Sequence, residues 1–214
     1  MGGGADSRIP AILKECLPID ADVEVVVRTY DFDPETAQDQ LFSWLEELSP
    51  SILIGESLGA AHALSLNISA FVNGIQPSVL PVILVSPALN APSVLWRLSF
   101  LALIPGVPAL LKHIFKPRPG ERQLLEFRYP SLKKWKLISD EAMTALESGM
   151  PVFAFFGEHD RYRRSGIVSV HQWKRLRGKS SFMEYDGSHY MEEQFVRTIL
   201  SEKILATLEQ ECRR

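Results

Sequence analysis

The sequence predicts an α/β domain: a mostly parallel, doubly wound sheet carrying a helical insertion. Three observations predict it. Short β-branched apolar runs recur along the chain and alternate with helical patterns, the order that parallel strand–helix–strand units require. Those runs are nearly continuous in apolar residues, as strands covered on both faces must be. A long proline-containing stretch, residues 89–149, then interrupts the rhythm and exceeds what a simple crossover uses. The core is therefore assigned to 1–88 and 150–214, and the insertion, read as a cap, to 89–149.

The strands follow in order. Val23-Glu24-Val25-Val26-Val27 reads as the first, Ile52-Leu53-Ile54-Gly55 as the second and Val82-Ile83-Leu84-Val85 as the third. Val152-Phe153-Ala154-Phe155-Phe156 reads as the fourth, and Ser181-Phe182-Met183-Glu184-Tyr185 as the fifth. Between them, 36–48 carries Leu41, Trp44, Leu45 and Leu48 at helical spacing on one stripe. Residues 58–71 are small and apolar nearly all round, as in a helix buried against a sheet. Residues 191–208 bring Phe195, Ile199 and Leu208 near one face. The insertion holds six prolines and the aromatic residues Trp96, Phe100, Phe115 and Trp135.

Composition narrows the function. The chain has 214 residues, 46% hydrophobic and 23% charged, enough to bury a core in a single domain. A net charge of −3 offers no basic field to hold nucleic acid. Two cysteines, Cys16 and Cys212, make no disulfide framework. The first residues lack the apolar centre of a secretory signal. The most apolar stretch, 94–111, contains Arg97 and is broken by Pro105, Gly106 and Pro108, so no membrane span is expected. Together these point to the cytoplasm. There is no P-loop, no dinucleotide-binding glycine pattern after a strand and no metal-ligand spacing.

Gly55-Glu56-Ser57-Leu58-Gly59 fits G-x-S-x-G at a strand-to-helix junction. A serine at such a tight turn sits in strained backbone and stands proud of the sheet's carboxyl edge, and the flanking glycines leave room for strand and helix to pack closely. The backbone N–H of Leu58, at the helix start, points at an oxyanion formed there. A serine hydroxyl needs a base. Of the five histidines, His62 lies in a buried helix, while His113 and His171 read as surface residues. His159 follows the fourth strand. His189, in Asp186-Gly187-Ser188-His189-Tyr190, sits in a loop after the fifth strand from which it can reach Ser57. The base needs an orienting acid. Phe156-Gly157-Glu158-His159-Asp160 offers Asp160, whose bland alternative is a helix N-cap, and Glu158 competes from the same loop.

These three segments resemble the signatures of the α/β-hydrolase superfamily: the serine elbow, then the acid loop, then the histidine loop, in the chain order Ser, Asp, His. The gap from Ser57 to Asp160 has room for a cap, and the gap to His189 fits one helix and one strand. The resemblance implies Ser57 as nucleophile, His189 as general acid/base and Asp160 as its orienter, with no cofactor. Met1-Gly2-Gly3-Gly4 resembles that family's oxyanion loop with methionine in place of histidine, which implies Gly3 N–H as a second oxyanion donor beside Leu58. The family's strand before that loop, and two more peripheral ones, have no counterpart here, so the sheet is expected without those N-terminal strands.

The insertion offers Trp96, Phe100, Leu103, Phe115 and Trp135 to line an apolar substrate pocket, although large apolar residues mostly build cores. Lys112, Lys116 and Arg118, and Arg161, Arg163 and Arg164, form basic stretches that could favour an anionic substrate. The leading expectation is a serine hydrolase acting through an acyl-enzyme on a small-molecule carboxylic ester or related acyl substrate. The alternatives are the same three side chains applied to carbon–carbon bond hydrolysis, and a catalytically silent α/β-hydrolase-like binding domain or truncated pseudoenzyme. Nothing in the sequence indicates the oligomeric state.

Overall fold

Runs of valine, isoleucine, leucine and phenylalanine with no polar break suit strands covered on both faces; four of the expected runs form strands, the two central ones, Val82–Val85 and Val152–Gly157, almost wholly buried and the two edge ones partly exposed at Ile54 and Met183. In a computed structural model, which describes residues 9–17, 23–31, 33–97, 99–114 and 128–213, they form β1 (Leu53–Glu56), β2 (Val82–Val85), β3 (Val152–Gly157) and β4 (Phe182–Tyr185). The four strands lie side by side in chain order, all parallel. Register brings Gly55 beside Leu84, Leu84 beside Ala154, and Ala154 beside Phe182.

Successive strand residues point to opposite faces, and each face has its own core. On one face Val82, Leu84, Ala154 and Phe156 pack under three helices. These are α3 (Gly59–Val72), α6 (Tyr129–Glu147) and α7 (Val170–Arg177). All three lie within crossovers between consecutive strands. A sheet that advances in one direction through right-handed crossovers stacks its crossover helices on one face. On the other face Ile83, Val85, Phe155 and Tyr185 pack against Ile12 and Leu13 of α1 (Ile9–Cys16) and against the C-terminal helical run. That run is α8 (Glu193–Phe195), a π-helical turn (Val196–Leu200) and α9 (Ser201–Cys212). α2 (Pro34–Leu48) starts where Asp33 accepts the N–H groups of Glu35 and Thr36 and proline occupies its first turn. Its Leu45 packs against Leu66 and Ala70 of α3.

The first expected strand is corrected. Residues 23–31 form no strand, although Val23 and Val25 pack into the second core. Alternate apolar side chains alone do not make a strand. Its backbone needs a neighbour to bond, and no strand pairs with 23–27 among the described residues.

The described residues of 89–149 are mostly helical, with α4 (Ala91–Arg97), a 3₁₀ helix (Ser99–Leu103), α5 (Val107–Ile114) and α6. α6 is built into the core: Ile138, Ala142, Ala145 and Leu146 are buried against α3 and the sheet. The part before it is more open, with Phe100, Leu103, Ile104 and Leu110 exposed. No helix of the described residues is long and apolar enough to cross a membrane.

Candidate active site

All the chemistry-bearing loops leave the carboxyl ends of the strands. After β1 the chain must reverse into α3 within two residues. It does so by placing Ser57 at φ 54°, in the left-handed region that side chains rarely adopt. The turn is held by Ser57 N–H donating to Val85 O at 3.0 Å, and by Ser57 O accepting from Ala60 N at 3.2 Å and Ala88 N at 3.1 Å. Gly55 is required sterically, because a Cβ there would lie 2.8 Å from Ala60 Cα. Gly59 is not, because its Cβ would meet nothing closer than Tyr30 Oη at 3.7 Å. The expectation that both glycines make room thus holds at the first alone. Leu58 is the N-cap of α3, and its apolar side chain makes no capping hydrogen bond. Its N–H is one candidate oxyanion donor. Gly3, the other, lies outside the described residues, as does Phe115.

β3 delivers Asp160 to the same rim. The two alternatives for Asp160 are realised together, one on each oxygen. Oδ1 accepts Tyr162 N–H at 2.8 Å, capping the short 3₁₀ helix Arg161–Arg163. Oδ2 lies 2.8 Å from His189 Nδ1. Glu158, the competitor, is exposed.

The loop after β4 brings in His189, whose Nε2 is 2.9 Å from Ser57 Oγ. A carboxylate only accepts, so Nδ1 carries the proton and donates to Asp160. Nε2 is then free to accept the Ser57 hydroxyl proton. Asp160 and His189 are each 4% exposed and Ser57 9%, which strengthens the hydrogen bonds between them. The loop approaches β3 so closely that a Cβ on Gly157 would sit 2.1 Å from Ser188 O. Tyr162 and Tyr190 stand edge-on to the imidazole, with ring centroids 4.5 Å and 5.3 Å away.

The remaining candidates lie elsewhere. His62 is buried on α3 between the rings of Tyr30 and Trp135, neither nitrogen has a hydrogen-bond partner among the described residues, and burial pushes its pKa down to about 4. His159 donates to Asp186 at 3.0 Å on the surface, while His113 and His171 are exposed. Trp135 is 6% exposed and belongs to the packing around His62. Trp96 leans on Tyr129 with centroids 5.4 Å apart, and Phe100 is 58% exposed. Arg163 is engaged, donating to Gly157 O at 3.1 Å and to Glu184 at 2.7 Å. Arg161 lies over the Tyr162 ring and donates to its hydroxyl at 2.9 Å. Lys116 and Arg118 fall outside the described residues.

Three residues near the site escaped the sequence reading. Tyr162 and Tyr190 flank the imidazole without any pattern to mark them. Glu56 occupies the variable position of G-x-S-x-G, and its Oε1 accepts Met191 N–H at 2.9 Å. Burial pushes the Glu56 carboxyl above its usual pKa, opposed by that N–H and by nearby His189.

The arrangement can move a proton from a hydroxyl at position 57 to an imidazole braced by a buried carboxylate. Comparison with protein-family models and with curated proteins finds no match for this sequence.

Proposed function

We propose that the protein is a serine hydrolase of the α/β-hydrolase type, cleaving a small carboxylic ester or related acyl compound through an acyl-enzyme. The observation that carries this reading is the continuous hydrogen-bonded chain from Ser57 Oγ to His189 Nε2, and from His189 Nδ1 to Asp160 Oδ2, at 2.9 Å and 2.8 Å. Mere packing has no use for this order of atoms, and the strained backbone at Ser57 adds to it. In the first half-reaction Ser57 Oγ attacks the acyl carbon and His189 takes its proton. Asp160 holds the ring in the tautomer that allows this and stabilises the imidazolium. The Leu58 N–H faces the developing oxyanion, with Gly3 as the second donor that the family resemblance implies. His189 then protonates the leaving group. In the second half water, deprotonated by His189, releases the acyl group. No step calls for a cofactor. The helices of 91–114, with Phe100 and Leu103 exposed, serve as the cap that meets the apolar part of the substrate.

A fluorophosphonate probe tests this directly. Folded wild-type protein takes up one label and Ser57→Ala takes none. A wild-type protein that is folded by circular dichroism yet remains unlabelled ends the proposal. A panel of short-chain esters run beside β-diketones separates ester cleavage from carbon–carbon bond hydrolysis. A silent binding module would turn over neither.

A further inference from the structure

The sheet raises a problem that the serine, histidine and aspartate do not themselves solve. β1 and β4 lie at opposite ends of the strand order, about 14 Å apart at the usual spacing of neighbouring strands. Ser57 follows β1 and His189 follows β4, so the histidine loop must arch over β2 and β3 to reach the serine. Most bonds that hold this loop tie it to its own side. Ser188 N–H donates to Glu192 at 3.0 Å within the loop. The Tyr185 hydroxyl, from β4 itself, donates to Ser188 O at 3.3 Å. His159 N–H, from the loop after β3, donates to Gly187 O at 3.0 Å. Among the described residues, apart from the Ser57–His189 bond itself, the bond that joins the loop to the strand carrying the serine is Met191 N–H to Glu56 Oε1, at 2.9 Å. Glu56 is the residue before Ser57, and Met191 lies two residues beyond His189. The two bonds therefore cross between the same pair of segments, one through side chains that react and one through a carboxylate and a backbone amide.

We infer that Glu56 is a positioning residue of the proposed hydrolase: its side-chain oxygen fastens the histidine loop to the nucleophile's strand and so holds the imidazole against Ser57. The inference rests on the serine-hydrolase reading for its catalytic half, while the tether is a structural statement that stands without it. A glutamine at 56 retains a side-chain oxygen to accept Met191 N–H and loses only the charge. An alanine loses both. The two effects separate.

The experiment compares wild type, Glu56→Gln and Glu56→Ala by two readouts. The first is the saturating rate of fluorophosphonate labelling. The second is amide hydrogen exchange at Met191 and its neighbours. Glu56→Ala is expected to unprotect the Met191 amide and to lower the maximal labelling rate by about 10²-fold, the cost of roughly an ångström of misplacement, with probe affinity little changed. Glu56→Gln is expected to keep the Met191 amide protected and the labelling rate close to that of wild type, because a side-chain oxygen still accepts that N–H. Equal Met191 exchange in wild type and Glu56→Ala overturns the tether. Equal labelling rates in those two proteins overturn the positioning role. A wild type that takes no label removes the catalytic half together with the hydrolase reading, and exchange alone then decides the tether. If Glu56→Ala does not fold, Glu56→Asp, whose shorter side chain draws the oxygen away from Met191, decides: a folded Asp variant with a fully protected Met191 amide, or with an unchanged rate, overturns the inference.

Discussion

Asp160 and His189 meet at 2.8 Å in an almost fully buried contact, although 29 residues separate them in the chain. The aspartate divides its oxygens, one for the imidazole and one for the N–H of Tyr162. A substitution can therefore remove one duty while sparing the other. Asp160→Asn keeps an oxygen for the cap but presents the wrong partner to Nδ1, which favours the unproductive tautomer. Ester turnover is expected to fall about 10⁴-fold, with the urea midpoint little moved. Asp160→Ala loses the cap as well and should cost a further amount of about 1 kcal/mol or more in stability. Full turnover in Asp160→Asn would remove Asp160 from the mechanism.

Gly157 and Gly59 look alike in the sequence and differ in space. A methyl group at 157 would meet Ser188 O at 2.1 Å, so the histidine loop must move. Gly157→Ala should therefore cost far more activity than Gly59→Ala. The alanine at 59 meets only Tyr30 Oη at 3.7 Å and should leave stability unchanged or raise it by up to about 1 kcal/mol. Thermal melts and ester turnover of the two variants, measured side by side, check the contrast. Equal losses in both would contradict it.

Acid stability should depend on His62. Its ordinary pKa is 6.5 and burial lowers it to about 4 in the folded protein. Between those values the unfolded chain binds a proton that the folded chain refuses, so stability is lost as pH falls from 6.5 toward about 4. A shift of this size corresponds to a loss on the order of 3 kcal/mol. The rings of Tyr30 and Trp135 packed against it supply no charge to offset the burial. His62→Phe should lack this portion of the acid loss. Urea midpoints of both proteins across that pH range test it, and parallel curves would refute it.

Trp135 and Phe100 were both candidates to line a pocket, and their burial separates them. Trp135→Ala opens a cavity beside His62 and should cost about 3–5 kcal/mol. Phe100→Ala removes an exposed ring and should change stability by less than about 0.5 kcal/mol, while raising KM for esters with longer acyl chains. A Phe100→Ala protein with an unchanged KM across an acyl series would exclude that ring from substrate contact.

Much of the site was legible because its parts are local. The turn at Ser57 needs a strand end, a serine and Gly55, all within a few residues. Asp160 was legible as a residue just past a strand end, though nothing local could say that its cap role and its bond to His189 coexist. The strand expected at 23–27 shows the opposite case. Its apolar pattern is local, but a strand exists only when another backbone lies alongside it. The packing within 89–149 is a similar case. Helical character was visible throughout, yet the packing of α6 against α3 depends on where the sheet turns that helix.

Read alone, the sequence determined the alternation of strands and helices and marked Ser57, Asp160 and His189 as residues that follow strand ends, because periodicity and turn chemistry act over short stretches of chain. Only the tertiary structure decided that four strands share the sheet and that Trp135 serves the core. It also decided that an elbow glutamate reaches Met191 across the sheet. Such contacts depend on distances between segments remote in sequence, which burial and backbone pairing set when the whole chain folds.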